Sequence, residues 1–138
     1  MSTGKVLAIL GAAHFPLQGQ DYHLIVPVPL HVQRLRWRGF NQSLILSQAI
    51  GHAYGILVDP FVLRRIRSTL PQTQLSESER RVNVHGAFAV SPPERLKEKR
   101  VLLVDDVYTS GATVEECARV LRRGGAEVVD VFTLARAV

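Results

Sequence analysis

The chain has 138 residues, 46% of them hydrophobic, which is enough for one domain with a real core. Seventeen basic against twelve acidic residues give a net charge of +5, and fourteen of the basic residues are arginines, whose planar fork suits phosphate. The lone cysteine, Cys117, excludes an internal disulfide and an all-cysteine zinc site and fits a reducing cytoplasm, and no apolar stretch approaches the roughly 20 residues that span a bilayer.

In chain order, Lys5 to Ala13 reads as a short helix rather than the core of an export signal, and Pro16 to Gln20 as a loop. Leu24 to Val28 is the first strong strand; Pro27 and Pro29 cannot donate to a ladder, so it should end there. A loop from His31 to Phe40 carries Arg34, Arg36 and Arg38, with Gly39 as a pivot. Asn41 can cap a helix that runs to about Tyr54 and stops at Gly55. Phe61 to Ile66 reads as a second strand after an Asp59-Pro60 turn, and Arg67 to Ser76 as a mobile, polar, proline-interrupted segment. Ser76 to Glu79 has the form of a capping box, opening a short helix. Gly86 to Val90 is a third strand, and Ser91-Pro92-Pro93 with the charged run Glu94 to Arg100 is a solvated connector.

The chain is organised around Val101 to Thr113, VLLVDDVYTSGAT. Val101 to Val104 is too short for a helix and suits a strand buried on both faces, which Asp105 and Asp106 should end. Thr109, Ser110, Gly111, Ala112 and Thr113 then form a hydroxyl- and glycine-rich turn at the start of a helix. Backbone N–H groups and the helix dipole favour an anion there, and a phosphate is the natural ligand. The two carboxylates would repel that phosphate but accept hydrogen bonds from hydroxyls, so a ribose 5-phosphate satisfies both halves. The plain structural alternative is a buried strand ending in solvated acids before an ordinary helix.

In the helix after the turn, Val114, Cys117, Ala118 and Leu121 form one apolar face, which makes Cys117 a buried structural thiol rather than a nucleophile. Glu115 and Glu116 lie near its start, Arg122 and Arg123 at its end, and Gly124-Gly125 stops it. Val128 to Leu134 returns as a strand, completing a strand, helix, strand unit of a parallel sheet.

VLLVDDVYTSGAT resembles the phosphoribosyl-pyrophosphate (PRPP) binding motif of type I phosphoribosyltransferases. With LIVPVPLH, RLRWRGFNQS and RRIRSTLPQTQLSESERRVNVHGAFAV preceding it in order, the chain resembles the ComF family of competence-associated phosphoribosyltransferases from about Leu24 onward. The resemblance implies an α/β fold of the type I phosphoribosyltransferase kind, a mostly parallel central sheet flanked by helices, with residues 1–138 as a single domain. It implies that Asp105 and Asp106 hold the ribose hydroxyls and that Thr109 to Thr113 hold the 5-phosphate. It further implies a substrate-bridged Mg2+, in agreement with the lack of any dedicated ligand cluster, and a pyrophosphate loop within Pro29 to Phe40.

Candidates for the pyrophosphate or lid role are Arg34, Arg36, Arg38, Arg64 and Arg67, drawn from eight arginines against three acids between Arg34 and Arg81. ComF proteins usually begin with a four-cysteine zinc ribbon, which this sequence cannot form. Two functions remain open. One is magnesium-dependent transfer of a phosphoribosyl group to an unidentified nitrogen acceptor with release of pyrophosphate, linked to DNA uptake. The other is a non-catalytic PRPP sensor or a module binding single-stranded DNA or a competence-protein partner. From Arg34 to Tyr54 the only aromatic residues are Trp37, Phe40 and Tyr54, which weighs against base stacking. A cytoplasmic location is expected, and an oligomer is compatible with the sequence. The histidines His14, His23, His31, His52 and His85 have no metal-ligand spacing.

Overall fold

The computed structural model describes residues 6–8, 22–30, 41–67, 69, 75–108 and 111–136. The apolar run of the central motif lies in strand β6 (Arg100–Tyr108), where Val101 to Val104 are inaccessible to solvent on both faces. That burial explains why the run shows no alternation. β6 is the middle of a five-stranded sheet of order β1-β7-β6-β2-β3, formed with β1 (Val6–Ala8), β2 (Leu24–Pro27), β3 (Leu57–Val58) and β7 (Val128–Arg136). Every pairing in it is parallel. β4 (Leu63–Arg65) and β5 (Phe88–Val90) form a separate antiparallel ribbon.

Helices cover both faces. α1 (Gln42–Tyr54) starts at Asn41, whose side chain accepts from the Ser43 N–H, and stops at Gly55, which takes a left-handed φ of 69°. Its Ile50, with Leu46 and Tyr54, packs on Ile25, Leu102, Val104 and Phe132. On the other face lies α3 (Ala112–Arg123), whose Val114, Cys117, Ala118 and Leu121 pack on Val26, Val101, Leu103, Val129 and Val131. The ribbon joins that second core through Leu63 and Phe88, together with Val84 of α2 (Glu77–Val84). The predicted capping box is present: Ser76 accepts from the Glu79 N–H, and the Glu79 carboxylate accepts from the Ser76 N–H. The result is helix, sheet, and helix with ribbon, an arrangement that buries both faces of a parallel sheet.

Four expectations need correction. Val6–Ala8, expected to be helical, is an edge strand beside Val131–Thr133 of β7, because a short apolar run has no periodicity of its own and takes the state its neighbour offers; the remainder of that expected helix and the Pro16 to Gln20 loop lie outside the described residues. The acids do not end β6, which continues to Tyr108 because β7 runs beside it to Arg136. The strand expected over Phe61 to Ile66 is confined to Leu63–Arg65 and pairs with β5 outside the main sheet. Asp59 accepts from the N–H groups of Phe61 and Val62, and this turn leads the chain away into the ribbon. The connector before β6 is not wholly solvated, since Leu96, following one 3-10 turn (Pro93–Arg95), is fully buried. No helix among the described residues is long and apolar enough to cross a membrane.

Candidate active site

β2 leads through α1 to β3 on one side of the sheet, and β6 leads through α3 to β7 on the other. The two connections therefore diverge between β2 and β6, and in open parallel sheets the crevice at the carboxyl ends of two such strands is where ligands bind. The last link between the two strands is the Val28 N–H to the Val104 carbonyl, at 2.9 Å. The next group of β2 turned toward β6 is the Val28 carbonyl. Among the described residues no strand pairs with β6 on that side beyond Val104, and its next residue is Asp105.

Asp105 is half-buried and accepts from Ser43 Oγ at 3.2 Å. Ser43 is 3% exposed and sits in the first turn of α1. That turn is fastened to β2, because Asn41 Nδ2 donates to the Val28 carbonyl at 3.3 Å. From the opposite side Arg65 Nε donates to the Pro29 carbonyl at 3.2 Å, and its guanidinium carbon lies 4.6 Å from the centre of the Phe88 ring. Asn41 and Arg65 thus hold the departing end of β2 from its two faces.

Cys117 lies beneath this crevice, fully buried. Burial pushes its thiol well above the ordinary range, the negative charge of Asp105 adds to the shift, and Arg65 opposes it. This is an inert thiol, as its place on the apolar face implied. Gly111, the residue before α3, has φ 87°, a left-handed conformation that favours glycine, and its carbonyl accepts from the Glu115 N–H at 2.8 Å. Ala112 is buried and Thr113 half-buried at the helix start, beside the end of β6.

One turn further along α3, Glu116 is 7% exposed. It accepts from Arg119 through both Nε (2.9 Å) and Nη2 (2.6 Å) and from the Gly86 N–H at 3.0 Å. The Arg119 hydrogen bonds, reinforced by the Gly86 N–H and the charges of Arg119 and His85, hold its carboxyl below the usual range against the effect of burial. With the Arg81–Glu115 ion pair, these contacts fix α2 and the turn before β5 to α3.

The described candidate residues divide into two groups. Asp105, Gly111, Ala112 and Thr113 lie together at the carboxyl end of β6 and the start of α3. Arg67 is on the ribbon side and donates to the carbonyls of Asn83 and His85, at 2.8 and 2.6 Å; Arg64 is exposed, with Nε 3.4 Å from the Phe61 carbonyl. Arg34, Arg36, Arg38, Thr109, Ser110 and the Asp106 side chain lie outside the described residues, as do Trp37, Phe40, His14 and His31. Sequence reasoning missed Ser43, Arg65 and Glu116. Strand alternation offered a signal for Arg65 alone, since Leu63 and Arg65 share a face.

The family model described as phosphoribosyl transferase domain matches residues 45–137. Competence protein F of Haemophilus influenzae is 42% identical over 115 residues, which is 82% of this chain and 50% of that protein. DNA utilization protein YhgH of Salmonella typhi is 41% identical over 112 residues, 81% of this chain and 48% of that protein. The chain thus spans about half the length of the curated relatives it matches. Among solved structures, the glutamine PRPP amidotransferase from B. subtilis, complexed with ADP and GMP, superposes with a TM-score of 0.56 at 23% identity, over 84% of this chain and 24% of that one, a likeness of fold. A family model matched from α1 to the end of β7, together with relatives of the competence type, shows that the chain belongs to the phosphoribosyl transferase domain family and, within it, to the ComF group.

Proposed function

We propose that this chain is a cytoplasmic domain that binds PRPP at the carboxyl end of β6 and transfers its phosphoribosyl group to a nitrogen acceptor, releasing pyrophosphate. The observation that carries the reading is the position of Asp105. It is a half-buried carboxylate held by Ser43 at the point where β2 leaves β6, with a helix start from Gly111 beside it. Asp105 and Asp106 accept hydrogen bonds from the ribose hydroxyls and orient the ring. Thr109, Ser110, Gly111, Ala112 and Thr113 take the 5-phosphate at the positive end of α3. Negative charge beside the ribose also favours the positive charge that develops on the ring as pyrophosphate departs. The pyrophosphate role falls to Arg34, Arg36 and Arg38 in preference to Arg64 and Arg67, because Arg67 is engaged with backbone carbonyls of the ribbon side.

The donor set fits a hard cation delivered by the substrate. Asp105 contributes hard carboxylate oxygens, and among the described residues no group of three or more His, Cys, Asp or Glu could form a cage by itself. When bound, magnesium supplies positive charge to the pyrophosphate oxygens.

Calorimetric titration with PRPP and with ribose 5-phosphate, each with and without magnesium, tests the reading. The expected result is magnesium-dependent binding of PRPP, tighter than that of ribose 5-phosphate, followed by pyrophosphate release when acceptor bases are screened. Absence of PRPP binding would refute it. Saturable PRPP binding without turnover on any acceptor would favour the second reading, a PRPP sensor within DNA utilization, which the names of the relatives support.

A further inference from the structure

The sheet carries a second concavity at its other end. β3 is an edge strand, and Leu57 in it and Phe61 beyond it are 70% and 68% exposed. Together with Pro60 they line a groove of about 530 Å³ whose polar residues include His23, Arg95 and Lys99.

The polar groups of this groove are hydrogen-bond donors. His23 Nδ1 accepts from the Arg100 N–H at 3.0 Å, so the neutral ring carries its proton on Nε2. Lys99 brings an ammonium group. The groove's one acid, Asp59, is 8% exposed and already occupied: Oδ1 accepts from the Phe61 and Val62 N–H groups and Oδ2 from Arg95 at 2.9 Å. What the groove presents to a partner is therefore an apolar floor with a rim of donors and positive charge.

The edge adds backbone. Ile25 pairs with Val58, and the Asp59 N–H donates to the Ile25 carbonyl. In a parallel ladder this alternation turns the N–H and C=O of Val58 away from β2, toward the open side of the sheet. An extended chain can add there by strand pairing.

We propose that this groove binds an extended acidic peptide segment of a partner protein. The segment pairs with Val58, places one large apolar side chain between Leu57 and Phe61, and directs carboxylates to Lys99 and His23. A nucleic-acid strand fits less well, since Phe61 is the single aromatic ring of the groove and Arg95 is tied to Asp59, whereas strand binding uses successive aromatic platforms along a cationic track. A second copy of this chain would set two positive rims against each other. β2 separates the groove from the crevice at Asp105 by roughly 13 Å at strand rise, so the two sites can be filled together.

The test is fluorescence anisotropy on the full chain with a labelled acetyl-Glu-Glu-Phe-Glu-Leu-Glu-Glu-amide peptide, its counterpart with lysine at every glutamate, and an oligothymidylate strand. Saturable binding of the glutamate peptide is expected, weakened about tenfold or more by Leu57→Ser with Phe61→Ser, and again by Lys99→Glu. The side chains of Leu57, Phe61 and Lys99 are exposed, so circular dichroism should report unchanged folds. Failure of the glutamate peptide to bind, or equal binding of the lysine peptide, would overturn the proposal. Oligothymidylate binding lost in the same variants would overturn it in favour of nucleic acid. Self-association by light scattering, lost in Leu57→Ser with Phe61→Ser, would overturn it in favour of a second copy.

Discussion

Replacing Asp105 by asparagine isolates the charge on which the proposed site depends. The amide keeps the shape of the carboxylate, and its oxygen can still accept the 3.2 Å bond from Ser43 Oγ, so the start of α1 keeps its partner. What changes is the strength with which ribose hydroxyls are held. A hydrogen bond to a charged group contributes about 1.5–3 kcal/mol and a neutral one about 0.5–1.5 kcal/mol, so two hydroxyl bonds lose about 2–3 kcal/mol together. That corresponds to a PRPP dissociation constant raised about 30- to 150-fold. Ser43→Ala provides the comparison. It removes one hydrogen bond to the carboxylate but leaves its charge, so affinity should fall by less than about tenfold. Both variants are to be titrated with PRPP and magnesium by calorimetry, with urea midpoints to show that each is folded. A folded Asp105→Asn protein that binds PRPP as tightly as the parent would refute the assignment of the ribose to this carboxylate.

Glu116→Ala leaves Arg119 and the Gly86 N–H without their acceptor; because 34% of the Arg119 side chain stays in water, the loss should be about 2–3 kcal/mol, below that for a fully buried pair. The carboxyl of Glu116 is held low in the folded chain, so its stabilisation is complete above the unfolded pKa of about 4.3 and disappears as pH falls through the lower folded value. Urea midpoints of parent and variant should therefore differ at pH 7 and converge in acid; a constant gap would show that the carboxylate charge is not the cause. Gly51→Ala improves helix propensity by about 1 kcal/mol, yet a Cβ there would lie 2.6 Å from Val58 Cγ2 and 2.7 Å from the Ile56 carbonyl oxygen. Overpacking of this kind costs about 1–3 kcal/mol, so thermal unfolding should move down rather than up. Cys117 should resist thiol reagents in the folded chain and react once urea unfolds it, since burial and Asp105 both disfavour its thiolate; rapid labelling of the native chain would contradict its packing.

The parts of the fold that could be read from sequence are those written in local chemistry. Asn41 and Gly55 bound α1, Ser76 and Glu79 open α2, and the Gly124-Gly125 pair follows α3, because caps are interactions within a few residues. Val101 to Val104 announces a strand buried on both faces by its lack of alternation. β3 was not legible, since two residues between Gly55 and Asp59 carry no pattern and become a strand by lying beside Leu24 and Ile25. Nor could the sequence say that Leu63–Arg65 would leave the main sheet for Phe88–Val90, because pairing partners are a long-range choice. The site divides in the same way. Asp105 and the turn from Gly111 were legible as a contiguous motif. Ser43, Arg65 and Glu116 act on residues 62, 36 and 30 positions away, and no local spacing encodes those contacts.

This division explains how an acid can occupy the interior of a strand without breaking the sheet. Asp105 pairs with Thr133 of β7, so β6 keeps a neighbour on that side, and the strand has no reason to stop at its first charge. On the other side Pro27 is the last residue paired, with Val104; Val28 donates to the Val104 carbonyl, and its own carbonyl accepts from Asn41 Nδ2 at 3.3 Å. The end of β2, rather than the acid, therefore sets where the crevice begins. Ser43 and Arg65 complete the arrangement by holding the two boundaries, one on the acid itself and one on the Pro29 carbonyl. The carboxylate is thereby fixed on a strand that, among the described residues, pairs on one flank only beyond Val104. Such a site suits a sugar whose ring must keep its orientation while its leaving group departs.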